Sequence, residues 1–284
     1  MTLLEAILLG IVQGIFMFFP VSSTSHMVLL EHLLGIEDPD SPRMVFFNVV
    51  VHVGTLISIA VVFRRSLGGY LGSLWRSAMR VWQRECSLWE SVPLRLALLG
   101  LFTVLVTGVI GLVLRRYFQS VFDAPLLISV MLVVTGVLLY FTDSVGKRPR
   151  GLKQITLWVA LVIGVAQALA LVPGLSRSGL TITFALFIGV KRRWAAQYSF
   201  FVAFPTILAI SAVQLFELWR DGELPAIDWG VYVAGFIVAA VVGIVALWLV
   251  MHLLYRARFR YFSYYVWALA AVVATAGLLG WLGP

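Results

Sequence analysis

Residues 173–179 are Pro173-Gly174-Leu175-Ser176-Arg177-Ser178-Gly179, a polar stretch inside an apolar segment that spans about 154–190. Proline and glycine both interrupt helices. Each flank of the break is shorter than the about 20 residues that a helix needs to cross a bilayer. Non-helical backbone at membrane depth is tolerated only where protein buries it or where it lines a wet cavity. The segment is therefore predicted to be a re-entrant hairpin with the polar break at its tip.

A second break of the same kind lies near the start of the chain. The segment 3–35 is apolar apart from Pro20-Val21-Ser22-Ser23-Thr24-Ser25-His26. A glycine-x-x-glutamine pattern precedes both breaks, with Gly10 and Gln13 in the first and Gly164 and Gln167 in the second. This similarity predicts a second re-entrant hairpin and an internal repeat.

The rest of the chain has the composition of a membrane protein. Of its 284 residues 61% are hydrophobic and 12% are charged, and the mean hydropathy is +1.00; soluble domains carry about 25% charged residues. The single cysteine, Cys86, excludes an intrachain disulfide and a thiolate metal cluster. Six further apolar stretches are predicted to cross the membrane: 44–63, 94–114, 124–142, 198–217, 229–254 and 262–282.

These elements predict an all-α polytopic membrane protein with one membrane domain over residues 1–284. It consists of two repeats, about 1–143 and about 150–284, each a re-entrant helical hairpin followed by three transmembrane helices. A hairpin returns to its own side, whereas three helices cross an odd number of times. The two repeats are therefore expected to be inverted, with their hairpin tips meeting inside the membrane.

The charges agree with this topology, because most basic residues fall on one predicted side. That side carries Arg64, Arg65, Arg76, Arg80, Arg84, Arg95, Lys147, Arg148, Arg150, Lys153, Lys191, Arg192, Arg193, Arg256, Arg258 and Arg260. The opposite side carries Arg43, Arg115, Arg116, Arg220, Glu37, Asp38, Asp40, Asp123, Asp221, Glu223 and Asp228. Lys and Arg favour cytoplasmic loops, so both termini are predicted to lie outside. No basic stretch is interleaved with aromatic residues as in a nucleic-acid surface, and no nucleic-acid partner is predicted.

Arg177 is the most informative residue of the second break. A cation at membrane depth is costly unless it is paired or hydrated. One interpretation pairs it with Glu31 or with backbone carbonyls. The other gives it an anionic ligand, and the planar guanidinium suits phosphate oxygens in particular. The second interpretation is favoured because further phosphate-binding groups are predicted close by.

Those groups are hydroxyls and helix N-termini. Ser22 and Ser176 each precede a predicted returning helix as N-cap residues. Helix N-termini present free N–H groups and a positive dipole end to anions. Hydroxyls of Ser23, Thr24, Ser178 and Thr181 add donors. The alternative for each hydroxyl is a bond to its own helix carbonyls.

Histidine and glutamine complete the candidate site. His26 follows Ser22 by four residues and Ser23 by three, spacings that share one helix face. A histidine beside a serine can activate it or act as acid, base or nucleophile. His52, in the middle of a predicted span, is a second candidate to face the same cavity. Gln13 and Gln167 either bind the ligand or tie down the broken backbone.

At these residues the chain resembles the undecaprenyl-diphosphatases of bacterial membranes, also called bacitracin-resistance proteins. The resemblance covers the whole chain. It is carried by Glu5 to Gly14, Phe19-Pro20-Val21-Ser22-Ser23-Thr24 with His26, Pro173 to Gly179 with Thr181, and Ala195 to Phe200 with Pro205.

The resemblance implies hydrolysis of undecaprenyl diphosphate to undecaprenyl phosphate, which recycles the lipid carrier for peptidoglycan synthesis. It implies a bacterial inner membrane location and a site that faces the periplasm. By position, Ser23 or His26 is the nucleophile and Arg177 a catalytic group. Arg177, Ser176, Ser178 and Thr181 hold the diphosphate, and Gln13 stands where the family has Glu or Gln. From the residues themselves, Gln13, Ser22, Thr24 and Gln167 are added to the predicted binding residues.

The resemblance also implies a divalent cation, Mg²⁺ or Ca²⁺, held by acidic residues of the first motif. Met17 and Asn48 stand where the family commonly has acidic residues, while Phe16 and Ser25 replace a usual threonine and glycine. A methionine does not ligate these cations, which prefer oxygen ligands. An alternative function is therefore a polyprenyl-phosphate transporter or flippase, or an inactive paralogue. An ion or small-solute transporter is the least favoured. A homodimer is an open expectation.

Overall fold

The computed structural model describes residues 1–36, 41–122, 124–146, 148–225 and 228–280, with backbone only at 32 and 115–122. This part of the chain is helical. The helices in chain order are α1 Leu3–Phe16, α2 Ser23–Leu33, α3 Pro42–Val62, α4 Arg64–Trp82, α5 Val92–Phe122, α6 Pro125–Thr142, α7 Leu157–Leu169, α8 Arg177–Phe187, α9 Arg192–Arg220, α10 Trp229–Tyr255 and α11 Arg260–Leu278.

The predicted all-α membrane fold is confirmed. Helices α3, α5, α6, α9, α10 and α11 are long and apolar enough to cross a membrane, counted over the described residues. They match the six predicted stretches to within a few residues, with two exceptions: α9 begins six residues earlier, at Arg192, and α5 continues eight residues further, to Phe122. Many of their Leu, Val and Trp side chains are exposed, as expected where lipid rather than water surrounds them.

The two interrupted segments form helical hairpins, α1–α2 and α7–α8. In the second hairpin, Arg150 before α7 pairs with Val190 after α8 in an isolated bridge. The N–H of Arg150 donates to the carbonyl of Gly189, and the carbonyl of Arg150 accepts from the N–H of Lys191, both at 3.0 Å. The two ends of this hairpin therefore lie together, and the chain returns to the side from which it came. Thr2 caps α1 in a capping box with Glu5.

Close packing holds the hairpins between the long helices. α1 packs on α10 and α7 packs on α5. A Cβ added at Gly10 or at Gly14 would lie 2.9 Å from a carbonyl oxygen of α10, and one added at Gly164 would lie 3.0 Å from the carbonyl oxygen of Thr103 on α5. Small residues let the backbones approach in this way, as is usual between membrane helices.

Helix α4 was not predicted, because residues 64–93 contain no apolar stretch long enough to span a membrane and only their arginines were used, in the charge argument. It has no buried residue. Its apolar side chains Leu71, Trp75, Met79 and Trp82 are exposed, and their spacing places them on one face. A basic amphipathic helix of this kind is typical of the membrane interface.

The arginine-rich connections meet at one end of the bundle. Asp143, after α6, accepts hydrogen bonds from Arg192 at 3.1 Å and from the backbone N–H of Arg260 at 2.8 Å. Arg192 and Arg260 were assigned to the same side of the membrane. Glu37, Asp38, Asp40, Asp123 and Lys147, used in the same argument, lie outside the described residues, as do the side chains of Arg115 and Arg116. The inverted orientation of the repeats and the single domain stay predictions.

Candidate functional site

The two hairpin tips touch each other. The hydroxyl of Ser178, at the start of α8, donates to the carbonyl of Phe19 in the first break at 3.3 Å. Arg177 donates from Nη2 to the sulfur of Met17 at 3.5 Å. Residues about 160 positions apart in sequence are thus brought to one place, as the repeat predicted.

Gly174 shapes the second tip. It has φ 90°, in the left-handed region that favours glycine. A Cβ at this position would lie 2.5 Å from the carbonyl oxygen of Ile128. Its own carbonyl accepts from the hydroxyl of Thr135 at 3.0 Å, and that hydroxyl also accepts from the N–H of Ser176 at 3.3 Å. The turn is therefore fastened to α6 just before α8 begins.

The predicted N-cap at Ser176 is confirmed, because its hydroxyl accepts from the N–H of Gly179 at 3.2 Å. Ser22 differs from the expectation. It stands directly before α2, but it has φ 65° and its hydroxyl bonds the hydroxyl of Ser25 at 3.1 Å. The left-handed conformation of Ser22 turns the chain into α2. The Ser22 side chain bonds within this turn and does not cap the helix.

A cavity of about 300 Å³ opens between the tips, α3 and α9. Five predicted site residues line it: Ser23, Thr24, Ser176, Arg177 and Ser178. The other lining residues are Phe16, Met17, His52, Ala170, Leu171, Ile207, Ile210, Ser211 and Gln214. Since α2 begins at Ser23 and α8 at Arg177, both helix N-termini open into this cavity.

Among the described residues, Arg177 is the only cation that lines the cavity. Within the described chain its one hydrogen-bond partner is the Met17 sulfur, a weak acceptor. None of the described residues forms an ion pair with it, so the expected alternative of an Arg177–Glu31 pair is not observed. A half-buried guanidinium is thus left with most of its donors available to an anion in the cavity.

Thr181 and Gln167 are directed away from the cavity. The hydroxyl of Thr181 donates to the carbonyl of Arg177 at 2.8 Å and shares a short hydrogen bond with Ser199 on α9. Gln167 donates from Nε2 to the hydroxyls of Thr107 and Thr206, at 3.1 and 2.9 Å. These bonds fasten the second hairpin to α5 and α9.

Gln13 is also absent from the cavity lining. It is 1% exposed, and its side-chain Nε2 has no hydrogen-bond partner among the described residues. Gln13 lies one helical turn before Met17, and the N–H of Met17 donates to the Gln13 carbonyl at 3.0 Å. The structure therefore places Gln13 behind the residue that contacts Arg177.

His26 is held by both of its ring nitrogens and does not line the cavity. Nδ1 donates to the carbonyl of Ser22 at 2.7 Å, so in the neutral ring Nε2 accepts from the hydroxyl of Tyr265 at 2.8 Å. The ring stacks on Phe16 with centroids 3.6 Å apart. The predicted helical neighbourhood of His26 and Ser22 is present, but the contact is to the backbone and not to a serine hydroxyl.

Sequence reasoning gave no role to Ser211 and Gln214, which line the cavity from α9. With Ile207 and Ile210 they form a stripe spaced by three and four residues, which lies on one helix face. Two polar residues in such a stripe within an apolar span are the signal that could have found them. His52 had been considered only as a second candidate, and it does line the cavity.

The residues of the cavity do not fit a Mg²⁺ or Ca²⁺ site. Both ions prefer several oxygen ligands, usually including carboxylates. The described lining residues supply hydroxyls, one amide, one imidazole, one guanidinium and a thioether, without a carboxylate. Over the described chain no group of three His, Cys, Asp or Glu side chains converges either.

Comparisons with known proteins match nearly the whole chain. The sequence model of the bacitracin resistance protein BacA family matches residues 6–272. An undecaprenyl-diphosphatase of Halorhodospira halophila is 52% identical, with 99% of each chain covered. One of Alkalilimnicola ehrlichii is 52% identical over 97% of each chain. One of Rubrobacter xylanophilus is 37% identical, over 98% of this chain and 99% of the relative.

Proposed function

The chain belongs to the bacitracin resistance protein BacA family, and on that premise we propose that it is a membrane phosphatase that hydrolyses undecaprenyl diphosphate to undecaprenyl phosphate. Relatives that are 52% identical over almost their whole length carry the name undecaprenyl-diphosphatase. The transporter and flippase alternative is not favoured, because these relatives are named as enzymes.

One observation carries the proposal. Arg177 lines the cavity without a carboxylate partner among the described residues. A cation left unpaired away from bulk water is costly, and a diphosphate headgroup supplies the missing charge. The planar guanidinium binds two phosphate oxygens at once.

The N-termini of two helices also favour an anion in the cavity. α2 and α8 start at Ser23 and Arg177, so their first N–H groups and positive dipole ends face the bound phosphates. The hydroxyls of Thr24 and Ser176 line the same cavity and add donors, whereas the hydroxyl of Ser178 donates to the carbonyl of Phe19 and fixes the contact between the tips. Apolar lining residues such as Leu171 and Ile210 border the polar part, where the first isoprene units of the lipid would lie.

Ser23 is the nucleophile that the geometry favours. It lines the cavity, whereas both nitrogens of His26 are occupied. Its oxygen attacks the terminal phosphorus, the bond to the bridging oxygen breaks, and undecaprenyl phosphate leaves. The serine proton passes to a base of the site and then to the departing phosphate oxygen. Water then attacks the phosphoserine, releases inorganic phosphate and restores the hydroxyl.

Arg177 and the helix N-termini act where charge develops. The terminal phosphoryl oxygens and the bridging oxygen gain negative charge as the bond breaks. Fixed donors that already face this region stabilise the transition state without reorganising. Arg177 is therefore a catalytic residue as well as a binding residue in this proposal.

Ser22, His26, Gln13, Gln167 and Thr181 support the site from outside the cavity. Their hydrogen bonds and burial fix the two tips relative to α5, α9 and α11. We assign them to positioning the groups that contact the substrate, which replaces the catalytic and binding roles expected for them. A change at any of them would misplace the lining residues without removing a contact to phosphate.

The multi-pass membrane location follows from the six apolar helices. We further propose the bacterial inner membrane, with the arginine-rich end in the cytoplasm and both termini outside, because basic loops are retained on the cytoplasmic side. In that orientation the enzyme recycles the lipid carrier for cell-wall synthesis. A homodimer stays a prediction.

Phosphate release by the purified protein tests the proposal. The full chain in detergent micelles is given a short-chain polyprenyl diphosphate, and inorganic phosphate is measured against time. We expect release by the parent protein and its loss in Arg177→Gln. Tight binding without release in the parent protein would refute the enzyme and support the carrier.

A further inference from the structure

Among the histidine side chains that the structure describes, His52 is the one that lines the cavity. It lies in the middle of α3 and lines the same space as Ser23 and Arg177. Its neighbour Thr55 donates to the His52 carbonyl at 2.7 Å. The residue is therefore placed on a fixed helix at the wall of the cavity and not on a loop.

The orientation of the ring leaves one nitrogen available. Nδ1 lies 2.6 Å from the carbonyl oxygen of Asn48, one turn earlier, and a carbonyl only accepts. Nδ1 therefore carries the hydrogen, which makes Nε2 the basic nitrogen of the neutral ring. Within the described chain Nε2 has no hydrogen-bond partner. A histidine whose Nδ1–H is held by a carbonyl has its tautomer and ring orientation fixed.

Other lining groups are unsuited to proton transfer. The described lining residues include no carboxylate, lysine or cysteine. Arg177 keeps its proton at any physiological pH, and serine and threonine hydroxyls need a base to lose theirs. The second histidine of the region, His26, accepts from Tyr265 with the nitrogen that would otherwise be free.

We propose that Nε2 of His52 is the general base and acid of the site. The proposal rests on the proposed phosphatase function and names the base that it requires. Nε2 takes the proton of the Ser23 hydroxyl as the new P–O bond forms. It then gives this proton to the oxygen of the departing undecaprenyl phosphate. In the second half, Nε2 takes a proton from the attacking water and returns it to Ser23 as the phosphoserine bond breaks.

Two substitutions test this role in the full-length protein. His52→Gln keeps a polar side chain of similar length but cannot transfer a proton. His52→Ala leaves a space that added imidazole can enter. The matched control is His252→Gln, on α10, whose ring stacks on Trp248 and lies outside the cavity lining. Phosphate release is measured over a range of substrate concentrations, and thermal unfolding of each variant is recorded.

General acid–base groups contribute about 10²–10⁴-fold to a rate. We therefore expect kcat of His52→Gln to fall by that factor, with KM nearly unchanged. Imidazole should restore part of the rate of His52→Ala, an effect that a purely structural role would not give. His252→Gln should match the parent protein.

Failure of this inference differs from failure of the proposed function. If the parent protein releases no phosphate, the phosphatase itself is refuted. If the parent is active and His52→Gln keeps its kcat within about threefold, far less than acid–base catalysis supplies, His52 is not the base. Loss of rate that imidazole does not restore in a folded His52→Ala also overturns the proposal and leaves His52 a positioning residue.

Discussion

Replacing Arg177 by glutamine should destroy activity without weakening the fold. The guanidinium has no ion-pair partner among the described residues, and its one hydrogen bond goes to the Met17 sulfur. Breaking a buried ion pair by removing one partner costs about 3–5 kcal/mol of stability. Because Arg177→Gln breaks no such pair, the free protein should lose none of that energy.

The loss of catalysis can be worked from the contacts to phosphate. A hydrogen bond to a charged group contributes about 1.5–3 kcal/mol, and a bidentate contact contains two. The sum is about 3–6 kcal/mol, and each 1.4 kcal/mol is tenfold. We therefore expect kcat/KM of Arg177→Gln to fall by roughly 10²–10⁴-fold. Arg177→Lys keeps the charge but not the two-pronged guanidinium, so its kcat/KM should lie between those of the parent protein and Arg177→Gln.

The assay combines phosphate release with thermal unfolding in the same detergent. Arg220→Gln is the matched control, because Arg220 is exposed and its hydrogen bonds to described residues go to its neighbour Asp221, at 2.7 and 3.0 Å. Surface pairs contribute about 0–1 kcal/mol, so this variant should be stable and active. The reasoning is refuted if Arg177→Gln unfolds several degrees earlier while its activity is retained, since Arg177 would then be a structural cation.

Three further predictions follow from the tips and the cavity. Gly174→Ala should destabilise the protein by at least about 1–2 kcal/mol, because an alanine there must adopt a left-handed backbone conformation and its Cβ meets the Ile128 carbonyl. The control is Gly108→Ala on α5, where nothing lies within 4 Å of the new Cβ. Equal unfolding temperatures of the two variants would contradict this prediction. Phosphate release should be unchanged after dialysis against EDTA, because the described lining residues lack carboxylates, and a loss that Mg²⁺ or Ca²⁺ restores would show that a cation is held after all. Rapid quenching during turnover should trap an acid-stable phosphoserine that is absent in Ser23→Ala, whereas an acid-labile adduct would identify a histidine as the nucleophile.

The six spans and two hairpins were predictable because they follow from local composition. A stretch of apolar residues needs no partner to be recognised as a membrane helix, and the proline and glycine of each break mark the tips. The N-cap at Ser176 is local in the same sense. Contact between the tips followed from the repeat, which is a property of the chain alone.

The distribution of polar side chains around the cavity was not predictable in full. His26 and Ser22 share a helix face, but the left-handed turn at Ser22 and the hydroxyl of Tyr265 direct the imidazole away. Thr181 turns to Ser199 on α9. Which face of a helix meets a cavity depends on how distant helices pack, and a single sequence does not contain those contacts in readable form. For the same reason the cavity position of His52, on which its proposed role rests, could not be distinguished from that of His26 in the sequence.

Helix α4 was missed for a different reason. The prediction searched for apolar stretches long enough to cross a bilayer, and residues 64–82 mix arginine with Leu, Trp and Met. Their periodicity is that of an amphipathic helix and not of a span. A search for one apolar face, made alongside the search for long apolar stretches, would have found it.

Binding of a non-hydrolysable analogue tests the central claim most directly. A short-chain polyprenyl methylenediphosphonate should raise the unfolding temperature of the parent protein, since a ligand that binds only the folded state stabilises it. The uncharged polyprenol of the same length should not. We expect Arg177→Gln to lose this stabilisation and, without ligand, to unfold at the parental temperature. Equal stabilisation of both proteins by the analogue would show that the anion is held elsewhere and would contradict the account.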